Sequence, residues 1–302
     1  MIGNQKTAGD KRAAFRARLA EGGLMRFPGA FAPLAAMLVE QAGFDGIYIS
    51  GAGIAAEKGL PDIGLTSQQE VVARAHHIAR VSDLPAIVDI DTGFGEAMNA
   101  ARTVASLDEQ GLAGCHMEDQ INPKRCGHLD NKVLIDTPDM CRKLRAAAEA
   151  KRDANFLLIA RTDARGPEGL ESATERARAY ADSGADMIFP EALESEAEFE
   201  AVRAAIDLPL LVNMTEFGKS PLLSVSQLEA LGIDIVIYPM TVMRLALKAM
   251  DDGLAALKRD GSQSALVDSM WTRSRLYEAL DYAAYNQFDQ GAGAHCPKYI
   301  YN

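Results

Sequence analysis

The sequence has few of the features that mark secreted, membrane-bound or nucleic-acid-binding proteins. Its four cysteines show no CxxC or other metal-type spacing over 302 residues, which argues against a disulfide scaffold and favours a reducing compartment. The N-terminus lacks the apolar stretch of a secretory signal, and its acidic residues fit an amphipathic helix better than a transit peptide. No apolar run reaches the ~18 residues of a membrane span. We therefore expect a cytoplasmic protein with no membrane partner.

Basic residues are also scarce, since the formal net charge is −11. Binding to phosphates needs a basic face, so we expect no nucleic-acid partner. The hydrophobic share of 48% and the charged share of 24% are ordinary for a soluble globular protein. The length would permit two domains, but α/β barrels of about 250 residues commonly form one domain.

Short and nearly continuous apolar runs recur eight times along the chain. Runs of this kind are typical of strands that are covered on both faces in a parallel sheet. The runs are LMRFPG (24–29), GIYIS (46–50), AIVDID (86–91), GCHMED (114–119), FLLIARTD (156–163), MIFPEA (187–192), LLVNMTE (210–216) and IVIYPM (235–240).

Segments with apolar residues at three- and four-residue spacing lie between these runs, and this spacing predicts helices. These segments are 32–43, 67–82, 97–111, 137–151, 170–184, 194–206 and 224–232. Eight strands alternating with helices predict an α/β fold, a (β/α)₈ TIM-type barrel. A doubly wound open sheet is the alternative, although no GxGxxG motif follows the first run.

The chain continues as helix beyond residue 240, which is more helix than a barrel needs for closure. We predict one barrel domain over 1–302 with extra C-terminal helices over about 241–302. The surplus helix packs either on a neighbouring subunit or as a self-contained cap, and the sequence does not separate these alternatives.

Polar residues gather where the apolar runs end, which is the rim that carries the active site in barrel enzymes. Strands often end in polar turns, but that explanation does not cover Asp89 and Arg161, which lie inside apolar segments. Asp89 and Asp91 at spacing i, i+2 would face the same side of a strand. Paired carboxylates suit Mg²⁺, with Glu118 as a possible third ligand. An Asp-x-Asp pair alone is also common in ordinary loops.

Cys126 is the second candidate for chemistry, because it lies in KRCGH (124–128) among basic residues. Nearby positive charge lowers the pKa of a thiol and raises its reactivity. Acid–base work, nucleophilic attack and an ordinary loop cysteine all fit this composition.

Three arginines could clamp the carboxylates of a substrate: Arg161, Arg244 and Arg273. A surface ion pair is the alternative for each, and it is least suited to Arg161 because that residue follows an apolar run. His116 lies inside an apolar strand and is interpreted as a structural histidine.

Seven motifs occur in the order that is found in the isocitrate lyase / phosphoenolpyruvate mutase superfamily, which the chain resembles over about residues 12–280. They are YISGAG (48–53), GLPD (59–62), VDIDTGFG (88–95), KRCGH (124–128), FPEA (189–192), NMTEFG (213–218) and MWTRSRLYE (270–278). Within this superfamily the chain is most similar to the lyases that act on 2-methylisocitrate.

The resemblance implies a Mg²⁺-dependent lyase (Mn²⁺ being an alternative metal) that cleaves 2-methylisocitrate to pyruvate and succinate in propionate catabolism. It implies a homotetramer of (β/α)₈ barrels, in which paired subunits exchange their eighth helices. That exchange would account for the surplus helix.

The resemblance also implies the site. The catalytic positions are Cys126, Tyr48 and His128; the substrate positions are Ser50, Gly51, Ala52, Asp62, Gly127, Arg161, Glu191, Asn213, Thr215, Arg244 and Arg273; the metal positions are Asp89, Asp91 and Glu118. Cys126 would protonate the succinate carbanion, and Tyr48 would take the proton of the substrate hydroxyl. Phe189 and Ile237 match positions that leave an apolar pocket for the substrate methyl group.

Related enzymes that act on isocitrate, oxaloacetate or dimethylmalate are the alternatives. One methyl group supports only ~1–3 kcal/mol of discrimination, and Ala52 replaces a glycine that is frequent in the superfamily. A degenerate barrel with only a binding role is a further alternative, but no rim ligand is visibly lost. The tail GAGAHCPKYIYN (291–302) matches no motif of the superfamily.

Overall fold

The computed structural model describes the backbone of residues 5–294 and the side chains of residues 5–291. Cys296 and the end of the unmatched tail lie outside the described residues. The chain divides into two compact units. The first comprises Lys6–Leu245, and the second contains the helices that follow residue 245.

Eight parallel strands form the centre of the first unit. They are β1 (Met25–Pro28), β2 (Ile47–Ile49), β3 (Ala86–Asp89), β4 (Gly114–Glu118), β5 (Leu157–Thr162), β6 (Met187–Pro190), β7 (Leu211–Asn213) and β8 (Ile235–Tyr238). Strands β2 to β6 pair in sequence order, and β8 pairs with both β1 and β7. Bridges between Gly29 and Tyr48 and between Ile188 and Leu210 join the two sets. The ring therefore closes, which confirms the predicted barrel and excludes the open sheet.

Helices follow the strands as the apolar spacing predicted. In the first unit they are α1 (Ala8–Glu21), α2 (Pro33–Gln41), α3 (Gly51–Glu57), α4 (Gln68–Ala79), α5 (Ala97–Glu109), α6 (Thr137–Glu149), α7 (Arg165–Glu168), α8 (Leu170–Ala181), α9 (Glu196–Ala205) and α10 (Val225–Ala230). Side-chain caps start several of them, including Thr7 before α1 and Ser67 before α4. The short helices α3 and α7 were not predicted.

The remaining helices continue the chain into the second unit. They are α11 (Thr241–Asp260), a 3₁₀ helix (Ser264–Ser269), α12 (Arg273–Ala279) and α13 (Tyr282–Ala294). This helical run was expected from about residue 241, and α11 spans the boundary between the two units. No helix within residues 5–294 is long and apolar enough to cross a membrane.

The barrel interior is a packed apolar core. Seven of the eight strands contribute residues to this cluster, among them Met25, Ile87 and Leu211. Ala113, just before β4, and Phe15 of α1 also belong to it. The Phe15 and Phe27 rings lie 5.4 Å apart between centroids. Burying one such side chain contributes roughly 1.5–3 kcal/mol. The interior is therefore filled, and space for a ligand is left at the carboxyl ends of the strands.

Candidate active site

A cavity of about 200 Å³ opens at the carboxyl ends of the barrel strands. Its lining is Tyr48, Ser50, Ala52, Asp62, Asp89, Lys124, Cys126, Gly127, His128, Arg161, Glu191, Asn213, Thr215, Pro239, Met240 and Arg244. Most residues that the sequence assigned to a site therefore meet around one space. Three others are buried beside it, namely Gly51, Asp91 and Glu118.

Asp89 ends strand β3 and is held in place by backbone donors. Its Oδ1 accepts the N–H of Asp91 at 2.9 Å, and its Oδ2 accepts the N–H of Gly51 at 3.3 Å. A Cβ at Gly51 would lie 2.9 Å from Asp89 Oδ2 and 3.3 Å from Asp91 Oδ1, so a larger residue there would displace the Asp89 carboxylate. Asp91 itself lies beyond the strand, at φ 49°. The same-face argument for the two acids was therefore wrong, because a left-handed turn brings them together.

Lys124 neutralises part of this acidic cluster. Its buried Nζ lies 2.8 Å from Asp91 Oδ1 and also contacts Asp62 Oδ1. Burial would lower the pKa of Lys124, but Glu118, Asp91 and the other nearby carboxylates outweigh it and raise that pKa. Burial raises the pKa of Asp91 to about 6. The sequence placed Lys124 beside the thiol, whereas its ammonium group lies on the carboxylates.

Glu118 is fully buried at the end of β4 and pairs with Arg161. Its Oε2 lies 3.1 Å from Arg161 Nη1, and its Oε1 has no hydrogen-bond partner among the described residues. Arg161 also donates two 3.0 Å hydrogen bonds to Asp163. Within residues 5–294, no cluster of three or more His, Cys, Asp or Glu side chains is arranged to hold a metal. The carboxylates of Asp89 and Asp91 both lie beside Gly51, while Glu118 pairs with Arg161.

Cys126 borders the cavity with its side chain half-buried. Burial raises the pKa of its thiol and Glu191 acts in the same direction, while a hydrogen bond from the His128 backbone N–H and the charge of Arg161 partly oppose them. The expectation that basic neighbours lower this pKa was wrong. Lys124 is engaged by acids, and Arg125 is exposed, with its backbone N–H bonded to Gln120 Oε1 at 2.9 Å.

His128 joins the cysteine loop to the strand ends β6 and β7. Its Nδ1 accepts the backbone N–H of Lys219 at 3.0 Å, so Nε2 carries the proton and donates it to Glu191 Oε1 at 2.8 Å. Asn213 Nδ2 lies 3.2 Å from the same Glu191 oxygen. Burial would raise the pKa of Glu191, but the charge of Arg161 and the contact with His128 lower it.

Tyr48 and His116 form a buried pair in the upper barrel. The Tyr48 hydroxyl lies 2.8 Å from His116 Nε2, and His116 Nδ1 lies 3.7 Å from Asp89 Oδ1. Burial lowers the pKa of His116 to about 4, so the ring is neutral at pH 7. Burial also raises the pKa of Tyr48. His116 is thus more than a packing residue, although no local signal in an apolar strand could reveal its partner.

Arg244 reaches the cavity from the start of α11. Its Nη1 lies 2.6 Å from Glu216 Oε2 and 3.3 Å from Thr215 Oγ1. Arg273 begins α12 in the second unit, so its place in the site stays a prediction.

The apolar pocket expected from Phe189 and Ile237 is not found at the cavity wall. Both side chains are buried in the barrel core, where the Phe189 ring supports Arg161 at 5.3 Å. The apolar lining is instead contributed by Ala52, Pro239 and Met240. Sequence reasoning missed the last two because only polar residues were sought where the apolar runs end.

Comparison with known proteins identifies the same superfamily that the sequence motifs indicated. Residues 15–258 match the family model described as phosphoenolpyruvate phosphomutase. The chain is 56% identical over 281 residues to the probable 2-methylisocitrate lyase 2 of Corynebacterium glutamicum, covering 93% of this chain and 92% of that protein. It is 42% identical over 290 residues to the 2-methylisocitrate lyase of Bacillus subtilis, covering 96% of each.

Solved structures are similar over nearly the whole chain. Oxaloacetate acetylhydrolase in complex with 3,3-difluorooxalacetate superposes with a TM-score of 0.90 at 34% identity, covering 95% of this chain and 99% of that one. Phosphonopyruvate hydrolase in complex with oxalate and Mg²⁺ gives 0.82 at 30% identity, covering 96% and 99%.

Proposed function

The chain belongs to the phosphoenolpyruvate phosphomutase family, and from that premise we propose that it is a Mg²⁺-dependent carbon–carbon lyase cleaving 2-methylisocitrate to pyruvate and succinate. The carrying observation is one cavity lined by Cys126, Arg161 and Asp89, with Asp91 bonded through its N–H to Asp89. The identity of 56% to a relative named as a 2-methylisocitrate lyase supports the choice of substrate.

The residues at the cavity fit a divalent cation. Asp89 and Asp91 would hold Mg²⁺, which commonly binds one or two carboxylates and keeps other positions for water and substrate oxygens. Burial raises the pKa of Asp91 to about 6, and the Lys124 ammonium beside it is shared with Asp62. A divalent cation would therefore stabilise the two adjacent carboxylates. When bound, the metal supplies Lewis-acid polarisation of the substrate oxygens. Glu118 would act from the outer shell, and Mn²⁺ is the alternative metal.

The chain's own residues account for binding and proton transfer. Arg161 and Arg244 bind the substrate carboxylates, and Ser50, Ala52 and Thr215 line the remaining wall. Tyr48 takes the proton of the substrate hydroxyl as it passes its own hydroxyl proton to Nε2 of the neutral His116, 2.8 Å away. The C2–C3 bond then breaks, the hydroxyl oxygen becomes the keto group of pyruvate, and the bonding electrons pass to the succinate carbon.

Cys126 completes the reaction by donating its Sγ–H proton to that carbon. A thiol whose pKa is raised by burial is protonated at neutral pH, as a donor must be. Gly127 and His128 place the loop beside the substrate, and Glu191 and Asn213 hold His128.

A related lyase or hydrolase of another diacid is the second candidate, and the similarity to oxaloacetate acetylhydrolase favours it. Steady-state assays with Mg²⁺ and 2-methylisocitrate, isocitrate, oxaloacetate or dimethylmalate separate the two. We expect the highest kcat/KM with 2-methylisocitrate, and Cys126→Ser should abolish turnover. Hydrolysis of oxaloacetate with no release of pyruvate from 2-methylisocitrate would establish the second candidate.

We also propose a cytoplasmic homotetramer in which subunits exchange the eighth helix of the barrel. This is a helix that follows strand β8, and it is not the element labelled α8. Two features support this assembly. A groove of about 440 Å³ on the barrel unit is lined mainly by apolar residues, including Leu38, Phe44 and Val242. Helix α11 exposes a series of large apolar side chains, namely Leu245, Leu247, Met250, Leu254 and Leu257. A second subunit would cover both surfaces.

A further inference from the structure

Lys132 is a buried lysine that lies outside the KRCGH motif. Its side chain is 2% exposed. Nζ donates to the carbonyl oxygen of Gly127, and to Asp163 Oδ1 at 3.1 Å. Burying an ammonium group is costly unless it is paired and hydrogen-bonded, and here both conditions are met by these two partners.

The position of Lys132 in the loop explains what these bonds hold. Gln120 forms an antiparallel bridge with Leu134, and Ile121 N–H donates to the Val133 carbonyl at 2.8 Å. Residues 121–133 therefore leave the barrel and return to it side by side. From the returning arm, Lys132 reaches the carbonyl of the residue that follows the Cys126 thiol.

The second partner, Asp163, ties the loop to Arg161. Asp163 accepts two hydrogen bonds from Arg161 at 3.0 Å while it also pairs with Lys132. Gly127 approaches the same arginine so closely that a Cβ there would lie 2.4 Å from Arg161 Nη2. The buried Asp163 carboxylate thus binds both Lys132, which holds the thiol loop, and Arg161, which is proposed to bind a substrate carboxylate.

We propose that Lys132 is a positioning residue, which holds the Cys126–Gly127 segment closed over the cavity through the Gly127 carbonyl and Asp163. Its effect on turnover rests on the proposed function. Its effect on the loop does not, because the loop is held by protein contacts alone.

Lys132→Met removes the charge and both hydrogen bonds but leaves the Arg161–Asp163 pair in place. With 2-methylisocitrate and Mg²⁺, kcat should fall roughly 10²-fold because the proton donor is displaced. KM should change much less, since Arg161 is kept. Lys132→Arg keeps the charge, but a planar guanidinium cannot bond the Gly127 carbonyl oxygen and Asp163 Oδ1 in the geometry of the ammonium group. The kcat of this variant should therefore lie between those of wild type and Lys132→Met.

The loop is tested without substrate by the rate at which iodoacetamide alkylates Cys126, followed by peptide mass spectrometry. Lys132→Met should raise this rate roughly tenfold, the change expected when one hydrogen bond to a charged group is lost. Lys11→Met is the matched control, because Lys11 is also buried and donates to backbone carbonyls, at Ala79 and Ser82. It should lower the melting temperature and leave the Cys126 rate unchanged.

A folded Lys132→Met variant with the wild-type alkylation rate would overturn the proposal, whatever its turnover. If Lys132→Met does not fold, Lys132→Arg decides by the same assay, and a wild-type rate in that variant would overturn it. If the wild-type protein does not cleave 2-methylisocitrate but Lys132→Met is alkylated faster, the proposed substrate is refuted. The role of Lys132 in holding the loop is then still supported.

Discussion

The Tyr48 hydroxyl lies 2.8 Å from Nε2 of His116, and the two rings stack at an interplanar angle of 4°. These residues belong to strands β2 and β4, which lie on either side of β3, so the contact spans the intervening strand. His116 is neutral at pH 7, because burial lowers its pKa to about 4. The tyrosine proposed to take the substrate proton is therefore held by a neutral ring in a fixed orientation.

Tyr48→Phe removes this hydroxyl and keeps the ring. We expect kcat to fall by roughly 10²–10⁴-fold, the usual contribution of a positioned acid or base. Tyr180→Phe is the matched control, since the Tyr180 hydroxyl is also buried and donates to Asp119 Oδ2 at 2.8 Å. It should cost about 1 kcal/mol of stability and leave kcat nearly unchanged. Equal kcat values in the two variants would remove Tyr48 from the reaction.

The pKa of the Cys126 thiol should be higher than that of an ordinary cysteine. Burial disfavours the thiolate and raises the pKa, so the thiol stays protonated to a higher pH and reacts later as pH rises. The pH dependence of alkylation should give a midpoint above the ~8.5 of free cysteine. The same cysteine in urea-unfolded protein is the control. A folded-state midpoint below the unfolded one would identify a stabilised thiolate and contradict proton donation.

Removal of divalent metal should abolish turnover, because Asp89 and Asp91 are proposed to hold Mg²⁺. Chelation with EDTA followed by Mg²⁺ should restore activity. Added Mg²⁺ should also raise the melting temperature, since a ligand that binds the native state stabilises it. Asp89→Asn should lose this thermal shift, while Asp182→Asn, an exposed acid at the end of α8, should keep it. An Asp89→Asn protein with the wild-type shift would place the metal elsewhere.

Gly127→Ala should prevent the loop from adopting its closed position. The new Cβ would lie 2.4 Å from both Arg161 Nη2 and Glu191 Cγ, so either the loop or these side chains must move. We expect kcat/KM to fall roughly 10²-fold, as for a small displacement of reacting groups. Gly9→Ala is the control. Its Cβ would lie 3.8 Å from Thr7 Oγ1, an ordinary contact, and the substitution should stabilise α1 by roughly 0.5–1 kcal/mol without loss of activity.

The apolar face of α11 should determine the assembly. Leu254 is 67% exposed in the single chain, and Leu254→Glu would place a charge in the proposed subunit interface. Sedimentation should then show dissociation of the tetramer, while Lys258→Gln on the same helix should keep it. A tetrameric Leu254→Glu protein would show that this face is not an interface.

Local patterns in the sequence determined the elements of the barrel. The runs that became β1 to β8 are apolar because both faces of each strand are buried. In the helices, apolar residues recur every three to four positions because one face of each helix packs on the sheet. Asp89 and Arg161 were recognisable for the same reason. A charged residue inside an apolar run can be recognised from the run alone, because its apolar neighbours show that the position is buried.

The partners of other buried charges were decided only by the tertiary structure. Lys124 meets Asp62 across 62 residues of chain, and Lys132 meets Asp163 and Gly127 through a loop whose path no local pattern specifies. Phe189 and Ile237 were assigned to a substrate pocket, but the closed barrel buries both in its core. Propensity and apolar spacing act over a few residues, whereas a buried charge is paired with whichever opposite charge the closed ring brings within reach.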